Sequence, residues 1–160
     1  MKTVYIALGS NLGDRVANLL EARERMKSSN LKLTRASSIY ETEPRGFLDQ
    51  PWFLNQVVEA QTTLYPRQLL ARLLQIEKEM GRERIVLNGP RLIDLDILLF
   101  GDSTLHLPGL EIPHPRMAER RFVLEPLAEL APALRHPRTR RSVREMLADV
   151  ADQPVRRLNT

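Results

Sequence analysis

Apolar residues alternate in some stretches of this chain and recur every three to four residues in others, and the changes of period divide it into elements. Thr3 to Leu8 is rich in β-formers and stops at Gly9, which predicts a first strand followed by a turn over Gly9–Gly13. Asp14 is placed to cap a helix in which Val16, Leu19, Leu20 and Met26 share one face through to Lys27. Ser28-Ser29-Asn30 breaks that helix, and Leu31 to about Thr42 predicts a long second strand closed by Glu43-Pro44-Arg45-Gly46. After a loop, a third strand runs from Phe53 to about Thr62. Pro66 then opens a helix whose buried stripe is Leu69, Leu70, Leu73, Ile76 and Met80, with Gly81 as its stop. Glu77 lies at the edge of the stripe and reads as a solvated flank residue. Leu92 to Phe100 alternates again and predicts a fourth long strand. Beyond it come two short segments, a helix that holds Arg116, Arg120 and Arg121 and takes its apolar face from Phe122, Val123, Leu127 and Leu130, a basic loop from Arg135 to Arg141, and a last helix opened by the capping box Ser142-x-x-Glu145.

The order is β-α-β-β-α-β with C-terminal additions. It predicts an α+β fold with a ferredoxin-like core, helices on both sides of a mainly antiparallel sheet, and the strand Leu92–Phe100 at a central position. With 160 residues and 42% hydrophobic content, residues 1–160 are expected to form one domain with a sizeable core. There is no cysteine, so disulfides and thiolate metal sites are excluded. The apolar run Val4–Leu8 is too short for a signal peptide, and Leu92–Phe100 is interrupted by two acids; a cytoplasmic protein that engages no membrane is expected. The net charge of +4 favours an anionic partner. Of the 24 basic residues 20 are arginine, a bias that suits bidentate phosphate contacts and that a general preference for arginine would also produce.

Candidate chemistry concentrates in Gly89-Pro90-Arg91-Leu92-Ile93-Asp94-Leu95-Asp96-Ile97-Leu98. In a strand, Asp94 and Asp96 share one face while Ile93, Leu95 and Ile97 share the other. Aspartate is depleted in strands, so two on one face mark either a solvated face or a cation site, and magnesium typically takes one or two carboxylates with water and substrate phosphates. Arg82, Arg84 and Arg91 precede the acids, and His114, held between Pro113 and Pro115, follows them with Arg116. Acids for metal and arginines for phosphate are the components of phosphoryl transfer. The glycine turn after the first strand fits neither phosphate-loop fingerprint, and reads as a tight turn. A reading from another class is a basic ferredoxin-like module that binds RNA on its sheet without catalysis, although aromatics are only 5% of the chain and the two acids would oppose a phosphate backbone.

The motif Gly89-Pro90-Arg91-x-x-Asp94-Leu95-Asp96-Ile97-Leu98 resembles the signature of 6-hydroxymethyl-7,8-dihydropterin pyrophosphokinases. Leu8-Gly9-Ser10-Asn11-Leu12-Gly13, Tyr40-x-Thr42, Asp49-Gln50-Pro51, Phe53-Leu54-Asn55, Ile76-Glu77, Gly81-Arg82-x-Arg84 and Pro113-His114-Pro115-Arg116 follow the order and spacing of that family over nearly the whole chain. The resemblance implies transfer of pyrophosphate from ATP, as co-substrate, to the pterin hydroxymethyl oxygen in folate biosynthesis. It implies two magnesium ions held by Asp94 and Asp96, and a catalytic set completed by Arg82 and Arg91. ATP contacts are implied for Glu77, Arg82, Arg84, Arg91, Ile97, His114 and Arg120, and pterin contacts for Thr42, Phe53, Asn55 and Phe122. Taken alone, the two phenylalanines would read as ordinary core. A monomer that binds no nucleic acid is expected.

Overall fold

The structure, a computed structural model, describes residues 1–44, 49–81 and 90–159. Strand β1 (Lys2–Ser10) leads into helix α1 (Arg15–Met26), whose N-cap Asp14 accepts the Ala17 N–H at 3.1 Å. The strand continues past Leu8 because Gly9 and Ser10 pair with Asn55 and Leu54, so the anticipated turn begins two residues later. The anticipated second strand is two strands, β2 (Leu31–Ala36) and β3 (Tyr40–Thr42), both antiparallel to β4 (Phe53–Thr62). Ser37 makes the break: its backbone and Oγ engage Val57, and its carbonyl accepts from the Gln56 side chain at 2.7 Å. Helix α2 (Pro66–Glu79) has Pro66 in its first turn, and Gly81 past its end adopts φ +83°, the left-handed conformation a helix stop needs.

Strand β5 (Asp94–Phe100) pairs antiparallel with β1. The β6 (Leu105–Leu107) and β7 (Leu110–Ile112) strands form a separate hairpin, and a 3-10 turn (Met117–Glu119) precedes α3 (Arg121–Leu130). Arg116 therefore lies before the turn, and Arg120 caps α3. Helix α4 (Val143–Asp149) carries the anticipated capping box, and a strand with no sequence signal, β8 (Arg156–Arg157), adds to β3.

The sheet order β5-β1-β4-β3-β8, with β2 also on β4, matches a split βαβ core but places β5 at the edge, not at the centre. One face packs Val4, Ile6, Leu8, Leu95 and Ile97 against Leu19, Leu69, Leu73 and Ile76 of α1 and α2. The other packs Tyr5, Val57, Leu98 and Leu99 against Val123, Leu124 and Leu127 of α3 and Met146 of α4. Both layers are buried apolar surface, which holds the sheet rigid between them. Among the described residues no helix is long and apolar enough to cross a membrane.

Candidate active site

The pleat of four strands puts the expected groups on the sheet face that α3 covers. Asp94 pairs with Gly9 and Gly9 with Asn55; Asp96 pairs with Ala7 and Ala7 with Val57. Since residues two apart share a face, Asp94, Asp96, Gly9, Ala7, Asn55, Phe53 and Thr42 look the same way. Two inter-strand spacings, about 10 Å, separate the acid strand from the asparagine strand. Between them lie only a glycine and an alanine, so the floor of the gap is backbone. A Cβ added at Gly9 would stand 3.5 Å from Asn55 Oδ1 and 3.9 Å from Phe53 Cδ1.

The resulting cavity, of about 110 Å³, is lined by these residues together with Arg91, His114, Arg120 and Phe122. Asn55 Nδ2 donates to Thr42 Oγ1 at 2.9 Å, which fixes the amide in its buried position. Phe122 projects from the first turn of α3, and the Arg120 guanidinium carbon lies 5.5 Å from its ring centroid. A second cavity, of about 650 Å³, opens on the other side of β5, between Leu70, Ile97 and the β6–β7 hairpin. Its size is that of a small-molecule site. Asp96 and His114 line both cavities. The edge position of β5 makes this possible, because a molecule can pass around an edge strand from one face of the sheet to the other.

His114 is held by its backbone N–H on Leu98 O at 2.9 Å, and its Nδ1 accepts the Arg116 N–H at 3.2 Å. Burial, then the neighbouring Arg120 charge, holds its pKa below the ordinary histidine value, so at neutral pH the ring is uncharged and carries its proton on Nε2. Arg91 lies 3.4 Å from Asp94 Oδ2 through Nη1, a long contact, and its Nε is buried without a hydrogen-bond acceptor among the described residues. A buried guanidinium N–H left over in this way suits an incoming anion.

Three residues support the site from beside or behind it: Glu77 is among the ATP contacts that the resemblance implies, whereas Asn11 and Glu41 were given no role in the sequence reading. Asn11, fully buried, accepts the Arg91 N–H at 2.7 Å, takes Arg91 O at 3.0 Å through its own N–H, and donates to Gln50 Oε1 at 2.8 Å and Pro51 O at 3.0 Å. It ties Arg91 to the loop before Phe53. The second support is Glu77. It is buried, not a solvated flank residue, and stands behind β5, where its Oε2 accepts the Leu95 N–H at 2.7 Å. The third is Glu41, beside Thr42, which accepts from Arg15 at 2.8 Å and is bonded to Arg156. For Asn11 and Glu41 the available signal was a polar residue within a stretch that resembles the family, Leu8–Gly13 and Tyr40-x-Thr42. Arg82 and Arg84 lie outside the described residues.

The family model for 7,8-dihydro-6-hydroxymethylpterin-pyrophosphokinase (HPPK) matches residues 5–132. The 2-amino-4-hydroxy-6-hydroxymethyldihydropteridine pyrophosphokinase of Pseudomonas aeruginosa is 45% identical over 99% of this chain and 98% of its own, and that of Aquifex aeolicus is 41% identical over 91% and 90%. The folic acid synthesis protein fol1 of Pneumocystis carinii is 44% identical over 97% of this chain, which spans 21% of its length. The wild-type HPPK-DHPS structure of Plasmodium falciparum, 17% identical, shares the fold with a TM-score of 0.75 over 94% of this chain and 45% of that one. By the family match and these full-length relatives, the chain belongs to the 7,8-dihydro-6-hydroxymethylpterin-pyrophosphokinase family.

Proposed function

We propose that the two cavities are the two substrate sites of the family reaction, pyrophosphate transfer from ATP to the hydroxymethyl group of 6-hydroxymethyl-7,8-dihydropterin in folate biosynthesis. The observation that carries this placement is that Asp96 and His114 border both cavities. The smaller one, walled by Phe53, Asn55, Thr42 and Phe122, suits a flat heterocycle; the larger one, bordered by Ile97, suits the nucleotide. The hydroxymethyl oxygen attacks the β phosphorus, the bond from that phosphorus to the α-β bridging oxygen breaks, and AMP leaves.

Asn55 spends one N–H on Thr42, leaving its carbonyl and second N–H for the ring edge. Phe53 and Phe122 hold the ring by stacking. Arg91 clamps phosphate through its guanidinium, and Arg82 and Arg84 join it by the resemblance of their motif. Neutral His114 donates from Nε2 to a phosphate oxygen, with Arg120 supplying positive charge on the same side.

The family reaction implies magnesium, and the donor set fits it. Asp94 and Asp96 share a face and a cavity, and no group of three or more His, Cys, Asp or Glu side chains forms a closed cage among the described residues. Two carboxylates suit ions whose remaining ligands are water and phosphate. Asp94 and Asp96 would hold two such ions, which neutralise triphosphate charge and orient the hydroxyl when bound.

The RNA-binding alternative finds no support, since α3 and α4 cover the sheet face it would use. The test is to incubate the protein with ATP, magnesium and 6-hydroxymethyl-7,8-dihydropterin. AMP and the pterin diphosphate are expected. Formation of ADP, or no pterin-dependent turnover, would overturn the reading.

A further inference from the structure

The last part of the chain, beyond the residues that the family model matches, is fastened at two points, and each point adjoins one wall of the ring cavity. At the first, Gln153 bridges the entry to α3: its Oε1 accepts the Arg121 N–H at 2.9 Å and its Nε2 donates to Glu119 O at 2.8 Å. Arg121 returns the contact, donating through Nη1 to Ala151 O at 3.1 Å and Gln153 O at 2.8 Å. These bonds lie on either side of Arg120 and immediately before Phe122. At the second, β8 pairs Arg156 and Arg157 with Glu41 and Tyr40, and Leu158 N–H donates to Ile39 O at 2.8 Å. The Arg156 guanidinium bonds Glu41 and lies 5.9 Å from the Trp52 ring centroid, so it touches the residues before Thr42 and before Phe53. A gap of about 130 Å³ between the two attachments is lined by Thr42 and Phe122 on one side and Gln153, Pro154 and Val155 on the other.

We infer that the arm of residues 151–158 is a positioning element of the ring site, setting the distance of Phe122 from Thr42 through Gln153 at one end and Arg156 at the other. Phe122 belongs to α3 and Thr42 to β3, and the arm is bonded to both elements close to these two residues. Stacking falls off steeply with separation, so a small outward drift of the α3 entry weakens the grip on the ring while leaving the cavity beyond β5 untouched. The arm itself contacts no substrate. This inference rests on the assignment of the smaller cavity to the pterin.

The experiment compares Gln153→Ala and Arg156→Ala with the unaltered protein in three readouts: KM for the pterin, KM for ATP, and equilibrium binding of the pterin in the presence of a non-hydrolysable ATP analogue. Loss of the Gln153 bonds is expected to raise the pterin KM and dissociation constant about tenfold, the equivalent of one neutral hydrogen bond, with kcat within about twofold and the ATP KM, to which the flanked Arg120 contributes one charge, rising by no more than about threefold. Arg156→Ala is expected to act in the same direction by about threefold. A lowered melting temperature with unchanged pterin binding would reduce the arm to a structural cover and overturn the inference, as would an equal rise in both KM values. Should Gln153→Ala fail to fold, Arg156→Ala decides, because that side chain is 70% exposed. Absence of pterin binding by the unaltered protein would instead overturn the ring-site assignment.

Discussion

Replacing Glu77 by alanine tests whether the acid strand is held from behind. Strand β5 pairs only with β1 among the described residues, so the row of backbone groups on its other side needs partners from elsewhere. Glu77 on α2 supplies one for Leu95, the residue between the two acids, at 2.7 Å and in a buried setting. A hydrogen bond to a charged acceptor contributes about 1.5–3 kcal/mol, and its loss strands a buried N–H, so Glu77→Ala is expected to cost about 2–3 kcal/mol. In a chain of this length that is a fall in melting temperature of about 4–12 °C. Glu77→Gln keeps an acceptor and the volume, and is expected to lose about half as much. Urea denaturation followed by circular dichroism reads the stability, and a magnesium titration of turnover reads the alignment of Asp94 and Asp96. The half-saturating magnesium concentration is expected to rise with the loss of stability. A Glu77→Ala variant of unchanged stability that needs more ATP but no more magnesium would show that the carboxylate serves the nucleotide and not the strand.

Asp94→Ala and Asp96→Ala are each expected to lower kcat by at least about 10³, with native far-ultraviolet circular dichroism; near-full turnover in either would remove that residue from the metal site. Gly9→Val is expected to fold, since the position is ordinary strand, and to weaken pterin binding at least about tenfold by filling the floor of the cavity; titration of the pterin reads this, and unchanged affinity would place the ring elsewhere. Away from the site, the bond from Arg35, with those from Thr34 and Tyr5, pulls the Glu59 carboxyl down to about 2. Its folded-state value lies below the unfolded one near 4.3, so the stabilisation is complete above that value and is lost as pH falls through about 2. With Arg35 half-exposed, the loss is about 1 kcal/mol; acid denaturation of Glu59→Gln is expected to lack this component, and an unchanged acid profile would refute it.

Period and punctuation carry local structure, and here they specify most of it. The strand at Asp94, the Asp14 cap, the Pro66 entry and the Ser142 capping box are each decided by neighbours a few residues away. Pairing order is not. The alternation in β5 is the same whether the strand is central or at an edge, and only the sheet shows that it is an edge with a cavity on each side. The break at Ser37 depends on partners on β4, and β8 is two arginines whose strand geometry exists only because Glu41 and Tyr40 receive them. Glu77 looked solvated because a helical stripe has an ambiguous border; the Leu95 N–H that makes burial tolerable is eighteen residues away. Asp94, Asp96, His114, Arg120, Asn55, Thr42, Phe53 and Phe122 line one cavity and each carries a side chain that sequence reading can single out, whereas Asn11 and Gln153 act through other residues and carry no chemical signature of their own.

The floor formed by Gly9 and Ala7 bears on how an inhibitor of this site could be escaped. A compound resting on main chain meets peptide groups that no point substitution deletes. Change at Gly9 can only add atoms, and change at Ala7 can remove no more than one methyl group; each added atom intrudes on the natural substrate as well as on the compound. Resistance is therefore expected to arise at the walls, at Phe53 or Phe122, where a ring can shrink or tilt, and to spare the floor.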